Sequence, residues 1–254
     1  MIYDRINLML PTYKRVHRGP DGAWTGLLAE FCQTSMQSTE RPTSEVVDFT
    51  FMINKNDLVT LEFLQERMNG YKFHILMEDE PKPHLAKYFN CLYAETRFCQ
   101  PGTLVSLLGD DMRFETKGYD QKILAKANEF DGNCLVYCND GYIAGERCCV
   151  NLFTSRQLVE ATEKPFMKAS CKAEMMDDIW MKITRTLNIH KYLSDVIILH
   201  NHDDQRDPSQ RDETWNRLNP VRQQAHDTRD FNEEQAYINE IVKTLRGKGV
   251  GQPA

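Results

Sequence analysis

Short apolar runs alternate with amphipathic stretches along the first part of the chain. The runs have the length and composition of buried strands, whereas the stretches between them repeat apolar residues at helical spacing. A chain that alternates strand and helix in this way favours an α/β fold, a mostly parallel sheet flanked by helices. The predicted strands are residues 6–10, 46–53, 72–77 and 104–108, and the predicted helices between them are residues 24–37, 57–68 and 84–98.

The second half of the chain has a less regular pattern. We expect one α/β domain over residues 1–202, followed by a polar and charged tail with a terminal helix over residues 203–254. The predicted elements are a helix at 119–130, strands at 133–138 and 148–153, helices at 154–162 and 175–188, a strand at 195–199 and the terminal helix at 232–246.

The composition is that of an ordinary globular protein. With 254 residues, 41% of them hydrophobic, the chain is long enough for one full-sized domain. A net charge of −6 gives no overall basic signature of a nucleic-acid-binding protein. A local basic cluster does occur at Lys14, Arg15, His17 and Arg18, and a solvated loop is its more frequent explanation.

Two further features bear on the compartment. No apolar run approaches the roughly 18–20 residues that span a bilayer, and the N-terminus lacks the pattern of a signal peptide. The eight cysteines include no CxxC pair, which argues against a zinc ribbon. We therefore expect reduced thiols, a cytoplasmic location and no membrane partner.

The strand predicted at 104–108 runs through Gly109 into two adjacent carboxylates, Asp110 and Asp111. Unpaired charge beside a buried strand is costly, so a cation is expected there. Hard divalent ions prefer carboxylate oxygens and often take substrate phosphates as further ligands, which favours a metal–diphosphate site. The alternative, a strand-end turn in which one Asp caps the following residues, stays open.

Polar residues also mark three other element ends: Asp177-Asp178 open a helix, His200 and His202 follow the last strand, and residues 11–15 follow the first. Strand ends at one edge of a parallel sheet converge, so we expect these groups to lie close together. Asp and His suit manganese or a related ion, and an Asp away from the metal suits a general base. Each group also has an ordinary explanation, namely a helix-dipole contact, a surface histidine and an exposed loop.

Taken in order, these motifs resemble those of nucleotide-sugar glycosyltransferases of the GT-A fold, of the family 2 type. The resemblance covers roughly residues 6–202 and rests on short motifs. The family's Asp-any-Asp motif is matched here by Gly109-Asp110-Asp111, so Gly109 departs from its first Asp.

The resemblance implies a GT-A fold, Mn²⁺ or Mg²⁺, and a nucleotide-sugar donor, most simply a UDP-sugar. It also implies transfer to an acceptor hydroxyl by in-line displacement with inversion, because one carboxylate acts as base. The implied roles are metal binding by Asp111 with His200 or His202, donor binding by Pro11, Thr12, Tyr13, Arg15 and Asp110, and base catalysis by Asp177 or Asp178, of which Asp177 is favoured.

The acceptor is open. Short GT-A enzymes without an anchor resemble either those that act on glycan precursors or phage-encoded ones that modify hydroxymethylated pyrimidines in DNA. Basic residues on the predicted acceptor side keep DNA under consideration. These residues are Arg147, Arg156, Lys168 and Lys172, beside the cluster at 14–18.

Other functions also stay open. Residues 203–215 mix charges with a Trp, which suits a lid that orders on binding, although an uninvolved loop explains them as well. A nucleotidyltransferase usually carries a glycine-rich loop after its first strand, and here no glycine precedes Gly19 in that loop. A non-catalytic nucleotide-binding module of the same fold is the remaining rival, and the oligomeric state is unknown.

Overall fold

The computed structural model describes residues 2–78, 85–130, 132–141, 145–171, 176–201, 220, 223–224 and 227–251. Its strands are β1 (Arg5–Pro11), β2 (His17–Arg18), β3 (Trp24–Thr25), β4 (Val47–Asn54), β5 (Lys72–Glu78), β6 (Thr103–Leu107), β7 (Met112–Phe114), β8 (Leu135–Asn139), β9 (Leu152–Ser155) and β10 (His190–His200). Its α-helices are α1 (Leu27–Gln37), α2 (Thr43–Val46), α3 (Leu58–Arg67), α4 (Leu85–Glu95), α5 (Tyr119–Ala127), α6 (Arg156–Ala161), α7 (Met176–Leu187) and α8 (Phe231–Gly247). Short 3₁₀ turns cover Thr96–Phe98 and Gly145–Arg147.

Eight of these strands form one mixed sheet in the order β5-β4-β1-β6-β9-β8-β10-β7, and β2 pairs with β3 separately. The pairs β5–β4, β4–β1, β1–β6 and β8–β10 are parallel. Strand β9 lies antiparallel between β6 and β8, and β7 is antiparallel to β10. Strands β1, β6, β8 and β10 consequently all point their carboxyl ends at the same edge of the sheet.

Helices cover both faces of this sheet, which explains why its central strands read as continuous apolar runs. Strand β1 illustrates the arrangement. Ile6 and Leu8 face one core while Met9 faces the other, because successive side chains of a strand point to opposite faces. The buried side-chain amide of Asn7 donates a 3.0 Å hydrogen bond from Nδ2 to the Thr50 hydroxyl on β4.

The two cores divide the helices between them. The first core contains side chains of α1, α3 and α5, and the second contains side chains of α4, α6, α7 and α8. Within the part of the chain that is described, no helix is long and apolar enough to cross a bilayer. The α/β class expected from the alternating pattern is confirmed.

Several elements differ from the predicted pattern: residues 24–25 form strand β3 rather than the start of a helix, and β9 begins at Leu152 rather than at 148. Strand β10 begins at His190, whereas the sequence predicted a start at 195. The prediction missed the first residues because the exposed Lys191, Ser194 and Asp195 interrupt the apolar pattern. Strand β7 and the β2–β3 pair are too short to show any periodicity. The terminal helix is present as α8, and its apolar stripe packs against α7 in the second core. The division at residue 202 stays a prediction.

Candidate functional site

The loop after β1 is attached to the ends of two neighbouring strands. The amide of Thr12 donates to the carbonyl of Met52 on β4 at 2.9 Å. The Thr12 hydroxyl donates to Oδ2 of Asp110, just beyond β6, at 2.5 Å, and both side chains are buried. Nε of Arg15 lies 4.0 Å from the other oxygen of Asp110. Asp110 therefore brings together Thr12 and Arg15, two of the residues that the sequence predicted to bind the sugar donor.

Two more contacts hold the rest of this loop. Lys14 has a left-handed backbone, with φ of 52°, and its amide donates to Oδ2 of Asp57 at 2.7 Å. The carbonyl of Arg15 accepts from the Leu28 amide at 3.1 Å. Gly26 permits this approach, because a Cβ there would lie 2.6 Å from the same carbonyl oxygen. Pro11 ends β1, and the half-buried Tyr13 ring lies 5.1 Å from Nζ of Lys14.

Asp111 and His200 meet at the same edge of the sheet. Nε2 of His200 lies 3.5 Å from Oδ2 of Asp111, and both side chains are largely buried. The backbone continues the contact, since the amide of Asn201 donates to the Asp111 carbonyl at 2.9 Å. A carboxylate and an imidazole separated by almost 90 positions in sequence thus face each other, as the strand-end pattern predicted.

An irregularity in β10 brings His200 to this position. Leu193 pairs with Cys138 on β8, but the next paired residue is Ile197, opposite Asn139. The extra residues carry β10 beyond β8, where it pairs with β7 and aligns His200 with Met112, the residue after Asp111. The amide of His200 also donates to the Asp140 carbonyl at 2.9 Å.

Gly109 has a steric reason to lack a side chain. A Cβ at this position would lie 2.3 Å from Oδ1 of Asp111. Any side chain at 109 would require the Asp111 carboxylate to move away from its present orientation, in which its other oxygen faces His200. The glycine is therefore coupled to the Asp111–His200 contact.

The electrostatics of Asp111 favour its ionised form. Burial opposes ionisation, but the hydrogen bond and charge of His200, together with Arg15 and a backbone amide, outweigh it and lower the Asp111 pKa to about 2. A charged carboxylate beside an imidazole suits a divalent ion that takes its remaining ligands from phosphate and water. No group of three or more metal-ligating side chains occurs within the described ranges, and His202 lies outside them.

Asp177 and Asp178 open α7 and belong to a separate set of contacts. Oδ2 of Asp177 accepts from the Cys148 thiol at 3.2 Å, and its Oδ1 accepts from the Asp178 amide at 3.0 Å. Oδ2 of Asp178 lies 3.5 Å from Nη2 of Arg229, which also pairs with the buried Glu234 at 2.8 Å. Burial raises the pKa of Asp177, and the neighbouring Asp178 adds to this, against the Cys148 hydrogen bond.

The sequence pattern did not identify several residues of this region. The chain pattern marked Asp140 only as part of an Asn-Asp-Gly turn, yet its carbonyl holds the end of β10. Cys148 stands in a patch that looks apolar, and no local signal reveals that its thiol faces α7. Arg229 lies in the polar tail, where only the packing of α8 brings it to Asp178.

Four of the basic residues considered for DNA binding lie beside acidic ones. Arg18 lies 2.7 Å from Glu62 and 3.6 Å from Glu66, and Arg15 is buried beside Asp110. Lys168 pairs with Glu233, and Arg156 pairs with Glu160. Lys172 lies outside the described residues. The local positive charge at these positions is consequently smaller than the sequence indicates.

Comparison with solved structures finds the same fold in TarS of S. aureus. TarS 1–349 in complex with UDP matches with a TM-score of 0.55 at 12% sequence identity, over 76% of this chain and 59% of that one. TarS 1–349 in complex with UDP-GlcNAc gives a TM-score of 0.55 at 11% identity, over 96% and 73%. A further TarS structure gives 0.57 at 10% identity, over 95% and 43%.

This chain therefore spans about three fifths of the length of the TarS chain bound to UDP. No protein-family model and no curated protein sequence matches it. At these identities the likeness concerns the fold. The GT-A fold expected from the order of motifs, a mixed α/β sheet flanked by helices, is confirmed as the fold of this chain.

Proposed function

We propose that this chain is a nucleotide-sugar glycosyltransferase that moves a sugar from a UDP-sugar to an acceptor hydroxyl. The observation that carries the proposal is the meeting of Asp111 and His200 beside the Thr12–Asp110 contact, at the carboxyl ends of the sheet strands. In open α/β sheets ligands bind at that edge. The solved TarS structures with UDP and UDP-GlcNAc support a donor of this class.

The proposed donor site has two parts. Pro11, Thr12, Tyr13, Arg15 and Asp110 would hold the nucleotide, since the loop after β1 offers a ring and a buried guanidinium, and Asp110 beyond β6 adds a fixed carboxylate. Asp111, His200 and His202 would hold Mn²⁺ or Mg²⁺, Asp111 as a carboxylate ligand and the histidines as neutral imidazole ligands. Such an ion would neutralise the departing diphosphate.

Asp177 is the proposed general base. Its neighbour Asp178 forms the ion pair with Arg229. Burial raises the pKa of Asp177, which brings it nearer to the range in which a carboxylate accepts a proton efficiently. A single base activating the acceptor on the face opposite the leaving group predicts inversion at the anomeric carbon. Product NMR that showed retained configuration would contradict this mechanism.

The donor half of the proposal is tested by UDP-sugar binding and turnover. We expect UDP-GlcNAc, or another member of a panel of UDP- and GDP-sugars, to raise the melting temperature of the wild type in the presence of Mn²⁺. The wild type should also hydrolyse that nucleotide sugar slowly to the nucleoside diphosphate. Asp111→Asn should lower turnover by about 100-fold or more, the size seen when one charge-stabilising group is removed.

Asp195→Asn is the matched control, because Asp195 is an exposed carboxylate on β10 that pairs with Lys122. It should leave binding and turnover unchanged. If no nucleotide sugar stabilises the wild type, a non-catalytic module becomes the better explanation. Turnover of a nucleoside triphosphate in place of a nucleotide sugar would indicate a nucleotidyltransferase.

The base is tested by comparing Asp177→Asn with Asp178→Asn. General base catalysis contributes about 10²–10⁴-fold, so Asp177→Asn should lose that much transfer while still binding the donor. Asp178→Asn should lose far less, because its carboxylate serves the Arg229 ion pair. Full turnover by the double variant would overturn the assignment.

The acceptor class is the finer part of the proposal. Both a glycan precursor and a hydroxymethylated pyrimidine in DNA present a hydroxyl. Residues 203–215, which lie outside the described residues, are proposed as a lid over the donor. The pairing of Arg18, Arg156 and Lys168 with carboxylates favours the glycan alternative. Salt-sensitive binding of hydroxymethylated duplex DNA, with transfer of labelled sugar to it, would reverse that preference.

A further inference from the structure

Two consecutive thiols face the first turn of α7. Sγ of Cys148 lies 3.2 Å from Oδ2 of Asp177 and 3.7 Å from Oδ1 of Asp178. The Cys149 thiol donates to the main-chain carbonyl of Asp177 at 3.0 Å. The segment after the Gly145–Arg147 turn is thus attached to both the backbone and the side chain at the start of this helix.

These contacts account for both oxygens of the Asp177 carboxylate. Oδ1 accepts from the Asp178 amide, and Oδ2 accepts from the Cys148 thiol. A carboxylate oxygen has two lone pairs, so Oδ2 keeps one with which to accept a proton from another group. The two donors hold the carboxylate in one orientation and leave each oxygen one lone pair, and the lone pair of Oδ2 lies beside the thiol contact.

The charged and titratable groups around Asp177 differ in role. Cys148 and Cys149 face it from the preceding loop, Asp178 lies next to it on its own helix, and Arg229 pairs with Asp178. Cys171, before α7, interacts with it electrostatically. Burial and the nearby Asp177 charge raise the pKa of Cys148, so its thiol stays protonated and remains a donor at neutral pH.

We propose that Cys148 is a positioning residue for the general base Asp177. Its thiol holds Oδ2 of Asp177 in the orientation in which the remaining lone pair of that oxygen meets the acceptor hydroxyl. This role rests on the proposed function. The acceptor proton moves to Oδ2 of Asp177, the new carbon–oxygen bond forms as the bond to the diphosphate breaks, and the diphosphate leaves with the electron pair. The thiol keeps its own proton throughout.

Cys148→Ala and Cys148→Ser separate this role from simple packing. The alanine variant removes a hydrogen bond that favours the ionised carboxylate, so the Asp177 pKa should rise and the acid limb of the kcat/KM profile should move to higher pH. On the acid side we expect about two- to tenfold lower kcat/KM with UDP-GlcNAc and an unchanged donor KM. The serine variant keeps a donor and should restore both quantities.

The Asp177 carboxyl is titrated directly by ¹³C NMR, with Asp177→Asn assigning its signal. Cys91→Ala, which removes a half-buried thiol from α4, is the matched control and should change neither the titration nor the profile. Thermal unfolding of each variant checks that it folds.

A parallel shift in the NMR titration and the pH profile, reversed by serine, supports the proposal. An unchanged Asp177 titration in Cys148→Ala would overturn it, and so would a serine variant that behaves like alanine. A shifted titration in a protein whose wild type turns over no nucleotide sugar would overturn the proposed function while leaving the thiol–carboxylate contact in place.

Discussion

At the scale of single residues, the candidate site depends on contacts between positions far apart in sequence. Thr12 and Asp110 are separated by 98 positions, yet the hydroxyl of one donates to the carboxylate of the other. Both side chains are buried away from water, and this hydrogen bond replaces the contacts with water that they lose on folding. The contact therefore stabilises the fold as well as the proposed donor loop.

Thr12→Val tests this contact, because valine keeps the shape and removes the donor. Leaving a buried carboxylate oxygen without this partner should lower the free energy of unfolding by about 1–3 kcal/mol, measured by urea denaturation. Thr186→Val is the control, since the Thr186 hydroxyl is exposed and bonds a carbonyl of its own helix. Equal losses in the two variants would show that Asp110 does not need Thr12.

At the scale of elements, α3 and the loop after β1 share one carboxylate. Asp57 is the N-cap of α3, where Oδ1 accepts from the Thr60 amide at 3.2 Å. Its Oδ2 accepts from the Lys14 amide at 2.7 Å. The start of a helix and the backbone of a proposed binding loop are consequently held by two oxygens of the same side chain.

Asp57→Ala and Asp57→Ser separate the two roles. Alanine should cost about 0.5–2 kcal/mol in unfolding free energy, because the helix loses its cap. Serine is also a good N-cap but has a single, shorter oxygen, so it should recover most of that stability without holding Lys14. Amide exchange of Lys14 should accelerate in both variants, and a protected Lys14 amide in Asp57→Ser would contradict the shared role.

At the scale of the whole molecule, the terminal helix belongs to the second core. Leu245 is fully buried there, together with Ile238 and Ile241 on α8 and Trp180 on α7. Polar contacts reinforce the packing, since Glu234 pairs with both Lys182 and Arg229. The helix that ends the described chain thus stabilises the element that carries Asp177.

Leu245→Ala should lower the unfolding free energy by about 2–5 kcal/mol, the usual cost of a large-to-small change in a core. Because α8 shares the core with α7, far-UV circular dichroism and tryptophan fluorescence should shift together in one transition. Lys243→Ala, at an exposed position of the same helix, should have little effect. Separate transitions for the two signals would mean that α8 unfolds on its own.

Most of the strands and helices could be predicted from the order of residues alone, because burial on one or both faces leaves a local period along the chain. The sequence also marked Asp110, Asp111 and His200, since charged groups directly after buried strands are conspicuous in any α/β pattern. Local spacing could not show the antiparallel insertion of β9, the irregularity of β10 or the short β7, which depend on which strands become neighbours.

The contacts among these groups follow from the three-dimensional packing. His200 reaches Asp111 because β10 runs past β8 to pair with β7, and Asp177 faces Cys148 because the loop after β8 packs against α7. The physical reason is one of range. Periodicity records the surroundings of each segment, whereas a contact between distant residues depends on strand order and register, which the packing of the complete chain selects.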